Sequence, residues 1–149
     1  MNIWQFQDNV LNRRLLRWAG LSIVIGLLLQ LKNSKFWKNL GWQFAGWGLI
    51  NAGIAFFGKN ANRDRVAKLE NPGEISVRKK QRKNLKRILL FNAGLDVFYM
   101  LGGFRMTRND EGAGGRAGTG WGIIIQGAFL FFFDLWHAQV LPDGDDTIE

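Results

Sequence analysis

Four apolar blocks, with nearly all of the charge lying between them, constrain this sequence most strongly. The blocks cover residues 15–31, 40–57, 88–104 and 121–141, so each is 17 to 21 residues long. A helix of that length spans about 26 to 31 Å, which is close to the hydrocarbon thickness of a bilayer. A helix of a soluble bundle would show polar residues at every third or fourth position. We therefore predict an all-α four-helix transmembrane bundle, with residues 1–149 forming a single integral membrane domain.

The connections between the blocks predict the orientation of the helices. With the N-terminus inside, fourteen of the twenty Lys and Arg residues lie on the inner side and six on the outer side. The positive-inside rule favours that arrangement. We predict a multi-pass protein of the bacterial plasma (inner) membrane with both termini cytoplasmic. Residues 58–87 then form a cytoplasmic helical-hairpin extension between helices 2 and 3, which turns at Asn71-Pro72-Gly73.

The second arm of that hairpin is strongly basic, with seven cations among the ten residues 78–87. A basic run beside a membrane span attracts anionic lipid headgroups. The positions predicted to bind headgroups are Arg78, Lys79, Lys80, Arg82, Lys83, Lys86 and Arg87. The net charge of +8 is thereby explained by a lipid bilayer as partner, and we expect no nucleic-acid partner.

The residue inventory excludes several kinds of chemistry. The chain has no cysteine, which excludes disulfides, thiol catalysis and iron–sulfur clusters. It has one histidine, so a single copy cannot supply a multi-histidine metal site. The sequence offers no nucleophile–base constellation and no phosphate-binding motif, and we expect no enzyme activity.

Polar side chains inside the apolar blocks are the candidate functional residues. Such groups are costly in lipid and therefore face the interior of a bundle. Asn92 and Asp96 are four residues apart and share a helix face, as do Asp134 and His137, which are three apart. We predict one buried polar network near the inner half of the membrane, formed by Asn51, Asn92, Asp96, Asp134, His137 and Arg17. Gln43 and Gln126 are predicted to form a separate outer pair.

This network admits three functions. The first is a non-catalytic membrane protein in which the network joins helices, acting as a self-assembling protein or as an accessory subunit of a larger membrane complex. The second is a small proton- or cation-coupled transporter that uses Asp96 and Asp134. The third is a subunit of an electron-transfer or photosynthetic complex, in which His137 binds a pigment, haem or metal.

Two flanking segments carry weaker signals. Ile3, Phe6, Val10 and Leu11 recur at helical spacing, which predicts either an amphipathic helix in the inner interface or a plain extension of the first span. The stretch EGAGGRAGTG before the fourth block is glycine-rich and predicts a flexible loop.

The apolar blocks also carry a family resemblance. Asn92-Ala93-Gly94-Leu95-Asp96 in the third block and Gln126-Gly127-Ala128-Phe129-Leu130 in the fourth resemble an uncharacterised family of small bacterial four-helix membrane proteins. Asn51-Ala52-Gly53 adds support. The resemblance covers residues 40–140 and implies the four-helix topology and these polar positions. It implies no activity and no substrate.

Overall fold

A computed structural model describes residues 1–110, 112 and 114–143 of the 149-residue chain. The regular structure of these residues is helical throughout, as predicted. The elements are α1 (Ile3–Phe6), a π-helical segment (Gln7–Asn12), α2 (Arg13–Leu29), α3 (Lys35–Ala67), α4 (Ile75–Arg108) and α5 (Gly115–Gln139). The turn at residues 68–74 joins α3 to α4, so both arms of the predicted 58–87 hairpin are helical extensions of these two helices.

Two of the helices, α4 and α5, are long and apolar enough to cross a membrane. Only 22% of the apolar stretch of α4 and 39% of that of α5 is buried, whereas the core helix of a soluble protein is mostly buried. The other two long helices carry a weaker signal, because α2 has 17 residues and the apolar part of α3 is interrupted by Gln43 and Asn51. The apolar stretches of α4 and α5 therefore give weak support for membrane association.

Glycines bring the long helices into backbone contact at one end of the bundle. A β carbon on Gly26 of α2 would lie 2.6 Å from the carbonyl oxygen of Gly41 in α3. One on Gly103 of α4 would lie 2.7 Å from the carbonyl oxygen of Gly120 in α5. Both distances are shorter than any real contact, so only glycine permits these approaches.

The parallel pair α3 and α5 meets at the same end. A β carbon on Gly118 would overlap the carbonyl group of Phe36, and one on Gly122 would overlap the side chain of Gln43. We define the glycine-packed end of the bundle by the close contacts of Gly26, Gly41, Gly103, Gly118 and Gly120.

The opposite end is filled by the N-terminal segment. Ile3 and Phe6 are buried, and the indole nitrogen of Trp4 donates to the carbonyl oxygen of Pro72 in the α3–α4 turn at 3.0 Å. The Asn62 amide donates to the carbonyl oxygen of Trp4 at 3.3 Å. The segment packs between the arms of α3 and α4 and continues without a break into α2. The predicted helical extension of the first span is therefore confirmed, and the alternative of an interfacial helix is wrong because Ile3 and Phe6 are buried against the protein. We call residues 1–12 the N-terminal wedge.

The glycine-rich stretch before the fourth block is helical from Gly115, so the predicted flexible loop is wrong for residues 115–120. The turn itself uses Gly112 and Gly114, whose φ angles of 104° and 70° strain any other residue. The Asp110 carboxylate accepts a hydrogen bond from the Ala117 N–H at 2.9 Å and caps the first turn of α5. Close helix packing, rather than chain flexibility, explains the glycines that follow.

Candidate functional site

Between α2 and α5 lies a hydrogen-bonded chain that begins at the half-buried Trp18 and ends in the interior. The Trp18 indole donates to Gln126 Oε1 at 3.0 Å, and Gln126 Nε2 donates to Ser22 Oγ at 3.1 Å. Gln126 and Ser22 are 0% exposed, and the Trp18 ring stacks on Phe129 with 3.7 Å between ring centroids. Both polar groups of the Gln126 amide are therefore satisfied, and the chain fixes the register of α2 against α5.

His137 lies further along the same helix pair and is engaged at both ring nitrogens. Its Nδ1 lies 2.6 Å from the Phe133 carbonyl oxygen, and its Nε2 lies 3.3 Å from Nη1 of Arg14. A carbonyl oxygen only accepts and a guanidinium only donates, so Nδ1 carries the proton and Nε2 accepts from Arg14. This pattern assigns the neutral form of the imidazole, held between α2 and α5.

Two carboxyl groups are buried between α4 and α5. Asp96 is 4% exposed and Asp134 is 7% exposed, and the two are close enough to interact electrostatically. One carboxyl oxygen of Asp96, Oδ2, is buried without a hydrogen-bond partner in the described part of the chain. A buried carboxyl group with an unpaired oxygen costs free energy, so this pair is a candidate site rather than a simple packing contact.

Asn51 is a further buried residue whose polar atoms are unpaired. It is 1% exposed, and neither its side-chain oxygen nor its nitrogen has a hydrogen-bond partner within the described ranges. The parallel register that sets Gly118 against Phe36 and Gly122 against Leu40 places Asn51 at about the level of Asp134 along the bundle. The unpaired amide of Asn51 therefore lies near the Asp134 carboxyl group along the bundle, and Asp96, whose carbonyl oxygen lies against Gly127, is about two turns away.

The structure therefore buries only some residues of the predicted network. Asn51, Asp96, Asp134 and His137 are buried, as their prediction requires. Arg17 is exposed, and Arg14, one turn earlier, takes the contact with His137. The prediction of Arg17 was wrong because the buried face of α2 passes through Leu15, Ala19 and Ser22.

Asn92 is exposed, so its prediction as a buried residue was also wrong. The buried stripe of α4 runs through Leu89, Ala93 and Asp96, and it turns Asn92 to the outside although it lies one turn from Asp96. Gln43 packs against Gly122, but Gln126 bonds to α2, so the predicted outer pair of glutamines is not formed by hydrogen bonds.

The basic residues of α4 differ in exposure, and only some of them can reach a membrane surface. Arg78 is 5% exposed and lies on the buried stripe with Gln81 and Leu85, so it is not placed to contact a membrane surface. Arg82 is half-buried and pairs with Asp143 at 2.9 Å. The remaining predicted headgroup-binding residues are exposed, namely Lys79, Lys80, Lys83, Lys86 and Arg87.

Two polar residues of the site were missed from sequence, namely Trp18 and Ser22. The spacing of four residues between Trp18 and Ser22 was the available signal, because it places an indole donor and a hydroxyl group on one face of α2.

A family model matches residues 14–135, which extend from the first turn of α2 almost to the end of α5. The chain belongs to the family of unknown function DUF6992. The predicted resemblance to an uncharacterised family is confirmed. The DUF6992 match includes Asn51, Asp96 and Asp134 and ends two residues before His137. No curated protein and no solved structure matches the chain.

Proposed function

We propose that this protein is a non-catalytic membrane protein of four spans that acts by assembling with further copies of itself. In this proposal α2, α3, α4 and α5 each cross the plasma membrane of a bacterium, and both termini are cytoplasmic. The excess of Lys and Arg near the N-terminus and in residues 58–87 supports that orientation.

Exposed apolar side chains on the two less apolar helices support four spans rather than two. Leu27 of α2 is 60% exposed and Leu49 of α3 is 66% exposed, and further large apolar residues are exposed along both helices. Exposed tryptophans also mark two levels: Trp37 and Trp121 lie near the starts of α3 and α5, and Trp136 lies near the end of α5. Water disfavours such a surface, whereas lipid with its two interfaces favours it.

The observation that carries the assembly proposal is the exposed amide of Asn92. Its neighbours on the same face of α4 are Ile88, Leu95 and Tyr99, which are exposed and largely apolar. An amide that faces acyl chains lacks hydrogen-bonding partners, and a second helix supplies them.

The test is the oligomeric state of purified protein in mild detergent, measured by native mass spectrometry over a range of concentrations. We expect the wild type to form a homo-oligomer and Asn92→Leu to weaken it by about 0.6 to 2 kcal/mol, the contribution of one interhelical polar contact. Asn92→Gln, which keeps the amide, restores much of the association. Asn84→Leu removes an exposed amide outside the apolar stretch and is the matched control.

A monomer at all concentrations would contradict self-assembly, and so would an Asn92→Leu protein that associates like the wild type. Co-purification of a different membrane protein, lost in Asn92→Leu, would favour the accessory-subunit function over self-assembly.

A second function, proton or cation coupling, draws support from the interior. Asp96 and Asp134 are both buried, and Asn51 at about the level of Asp134 has no hydrogen-bond partner in the described part of the chain. Carboxyl and amide groups of this kind bind and release protons or cations in membrane proteins. Proton flux into liposomes tests this transport function, with Asp96→Asn and Asp134→Asn proteins compared with the wild type. Lost flux with intact folding favours transport, whereas loss of folding shows a structural role.

A third function, cofactor binding by His137, has less geometric support. Its Nε2 contacts Arg14 and its Nδ1 bonds to Phe133, so ligation requires Arg14 to move. The neighbouring aromatic rings Trp18, Phe129 and Phe133 already stack on one another. A visible absorption band in protein purified in mild detergent, lost in His137→Phe, would favour this function.

A further inference from the structure

A groove lies between the N-terminal wedge and α3, away from the buried polar site. Its volume is about 590 Å³, and it is lined on one side by the wedge and the start of α2 and on the other by residues 55–63 of α3. Gly58 lies close to the wedge, since a β carbon there would be 3.3 Å from Oδ1 of Asn12. The groove is therefore formed by the packing of two helical elements.

Charge is concentrated in this groove. Arg13, Lys59 and Arg63 line it together with a single carboxylate, that of Asp8. These three cations are exposed, and none belongs to the basic stretch of residues 78–87. Three positive charges against one negative charge attract an anion. The carboxylate favours a singly charged phosphodiester over the more highly charged free phosphate.

One end of the groove is apolar. Leu16 is 52% exposed and Phe56 is 62% exposed, and both line the groove within one turn of a cation, Arg13 and Lys59 respectively. Both residues continue into the exposed apolar surfaces of α2 and α3. A lipid fits this arrangement, because its acyl chains lie along the apolar surface while its phosphate lies among the cations.

We propose that this groove binds the phosphodiester headgroup of an anionic phospholipid. The proposal rests on the proposed membrane location of α2 and α3 and is independent of the proposed self-assembly. The π-helical segment Gln7–Asn12 shapes one wall of the groove, in agreement with the frequent occurrence of π-helical turns at functional sites.

Lipid binding to delipidated protein in mild detergent tests the proposal, with bound lipid counted by native mass spectrometry. The probes are phosphatidylglycerol, phosphatidylcholine and inorganic phosphate. We expect the wild type to prefer phosphatidylglycerol. Each of Arg13→Gln, Lys59→Gln and Arg63→Gln should weaken it about fivefold, and the triple variant about 100-fold, since each basic residue near anionic lipid contributes a factor of about five.

The matched control is the triple variant Lys80→Gln, Lys83→Gln and Arg87→Gln, which removes the same charge from exposed positions of α4. Its affinity for phosphatidylglycerol should stay close to that of the wild type. Thermal unfolding midpoints of both triple variants near that of the wild type show that the comparison is between folded proteins, and Lys59→Gln alone tests the site with the smallest disturbance.

Equal loss of lipid in both triple variants would overturn the proposal in favour of general charge attraction. Equal retention in the groove variant and the wild type would overturn it outright, as would tighter binding of inorganic phosphate than of the lipid. Extraction of membranes with alkaline carbonate distinguishes failure of the lipid-binding proposal from failure of the membrane location. If the protein stays in the membrane and the groove variant keeps its lipid, only the lipid-binding proposal is refuted. If the extraction washes the protein off, the membrane location is refuted.

Discussion

The two ends of the bundle are packed in opposite ways. At the glycine-packed end, backbones touch, and there is no space for a methyl group at Gly26 or Gly103. At the other end the N-terminal wedge lies between the arms of α3 and α4 and packs there with large side chains such as Trp4 and Phe6. Backbone contact therefore dominates one end of the bundle, and side-chain packing dominates the other. Buried polar atoms of Asn51 and Asp96 that have no hydrogen-bond partner among the described residues lie between the two ends.

This difference predicts opposite sensitivities to substitution. Adding atoms is most harmful where backbones touch, because neither partner can move without shifting a whole helix. Removing atoms is most harmful where large side chains fill space, because a cavity remains. The following substitutions test that contrast.

The largest effect is expected for Gly118→Leu at the glycine-packed end. The first side-chain atom overlaps the backbone of Phe36, so α5 must separate from α3. We expect a loss of about 3 kcal/mol or more, enough to abolish most folded protein. Gly46→Leu is the matched control, because no atom lies within 4 Å of the place of its β carbon. The yield of monodisperse protein after detergent extraction measures both, and equal yields would refute the contrast.

At the wedge end, Trp4→Ala should cost about 3 to 5 kcal/mol. The indole is 8% exposed, and its hydrogen bond to Pro72 is lost together with its packing. Trp42→Ala removes the same side chain from a position that is 65% exposed and should cost no more than about 0.5 kcal/mol. Unfolding midpoints in detergent compare the two. Similar midpoints would show that the wedge is not part of the folded core.

A smaller effect is expected between the two ends of the bundle, at the hydrogen-bonded chain of α2 and α5. Gln126→Leu leaves the Trp18 indole without its acceptor and should cost about 1 to 3 kcal/mol. Ser22→Ala removes only an acceptor of one hydrogen bond and should cost about 1 kcal/mol. The double variant measures their coupling. Strictly additive costs would mean that Gln126 and Ser22 do not interact in the folded protein.

The smallest effect is expected for Arg14→Gln. Its partner His137 keeps the hydrogen bond from Nδ1 to Phe133, so only the contact at Nε2 is lost. We expect about 0.5 to 1.5 kcal/mol. Arg17→Gln, one turn along on the exposed surface, is the control and should have almost no effect. A larger cost for Arg17→Gln would restore the original assignment of that residue to the network.

The sequence predicts much of this fold, because apolar periodicity and turn residues act locally. The helices, the Asn71-Pro72-Gly73 turn and the burial of Asp96, Asp134 and His137 all follow from local pattern. The family match agrees with the resemblance carried by the third and fourth blocks.

The remaining features depend on helix rotation and on contacts far apart along the chain. A rotation of a fraction of a turn decides whether Asn92 or Ala93, and whether Arg14 or Arg17, faces a neighbour. Residue spacing alone does not determine this rotation. The packing of the wedge was missed because its partners, such as Pro72, are 68 residues away in sequence. The glycines of residues 115–120 resemble a loop until a second helix is seen against them.

Single cysteines test the central claim, four crossings of a membrane, most directly, because the natural chain has none. Ser34→Cys, Ser76→Cys and Asn109→Cys place one thiol in or beside each described turn between the long helices. Intact cells are labelled with a membrane-impermeant maleimide before and after permeabilisation. We predict that Ser34→Cys and Asn109→Cys react in intact cells and that Ser76→Cys reacts only after permeabilisation. Labelling of Ser34→Cys and Ser76→Cys from the same side would contradict the four-span account.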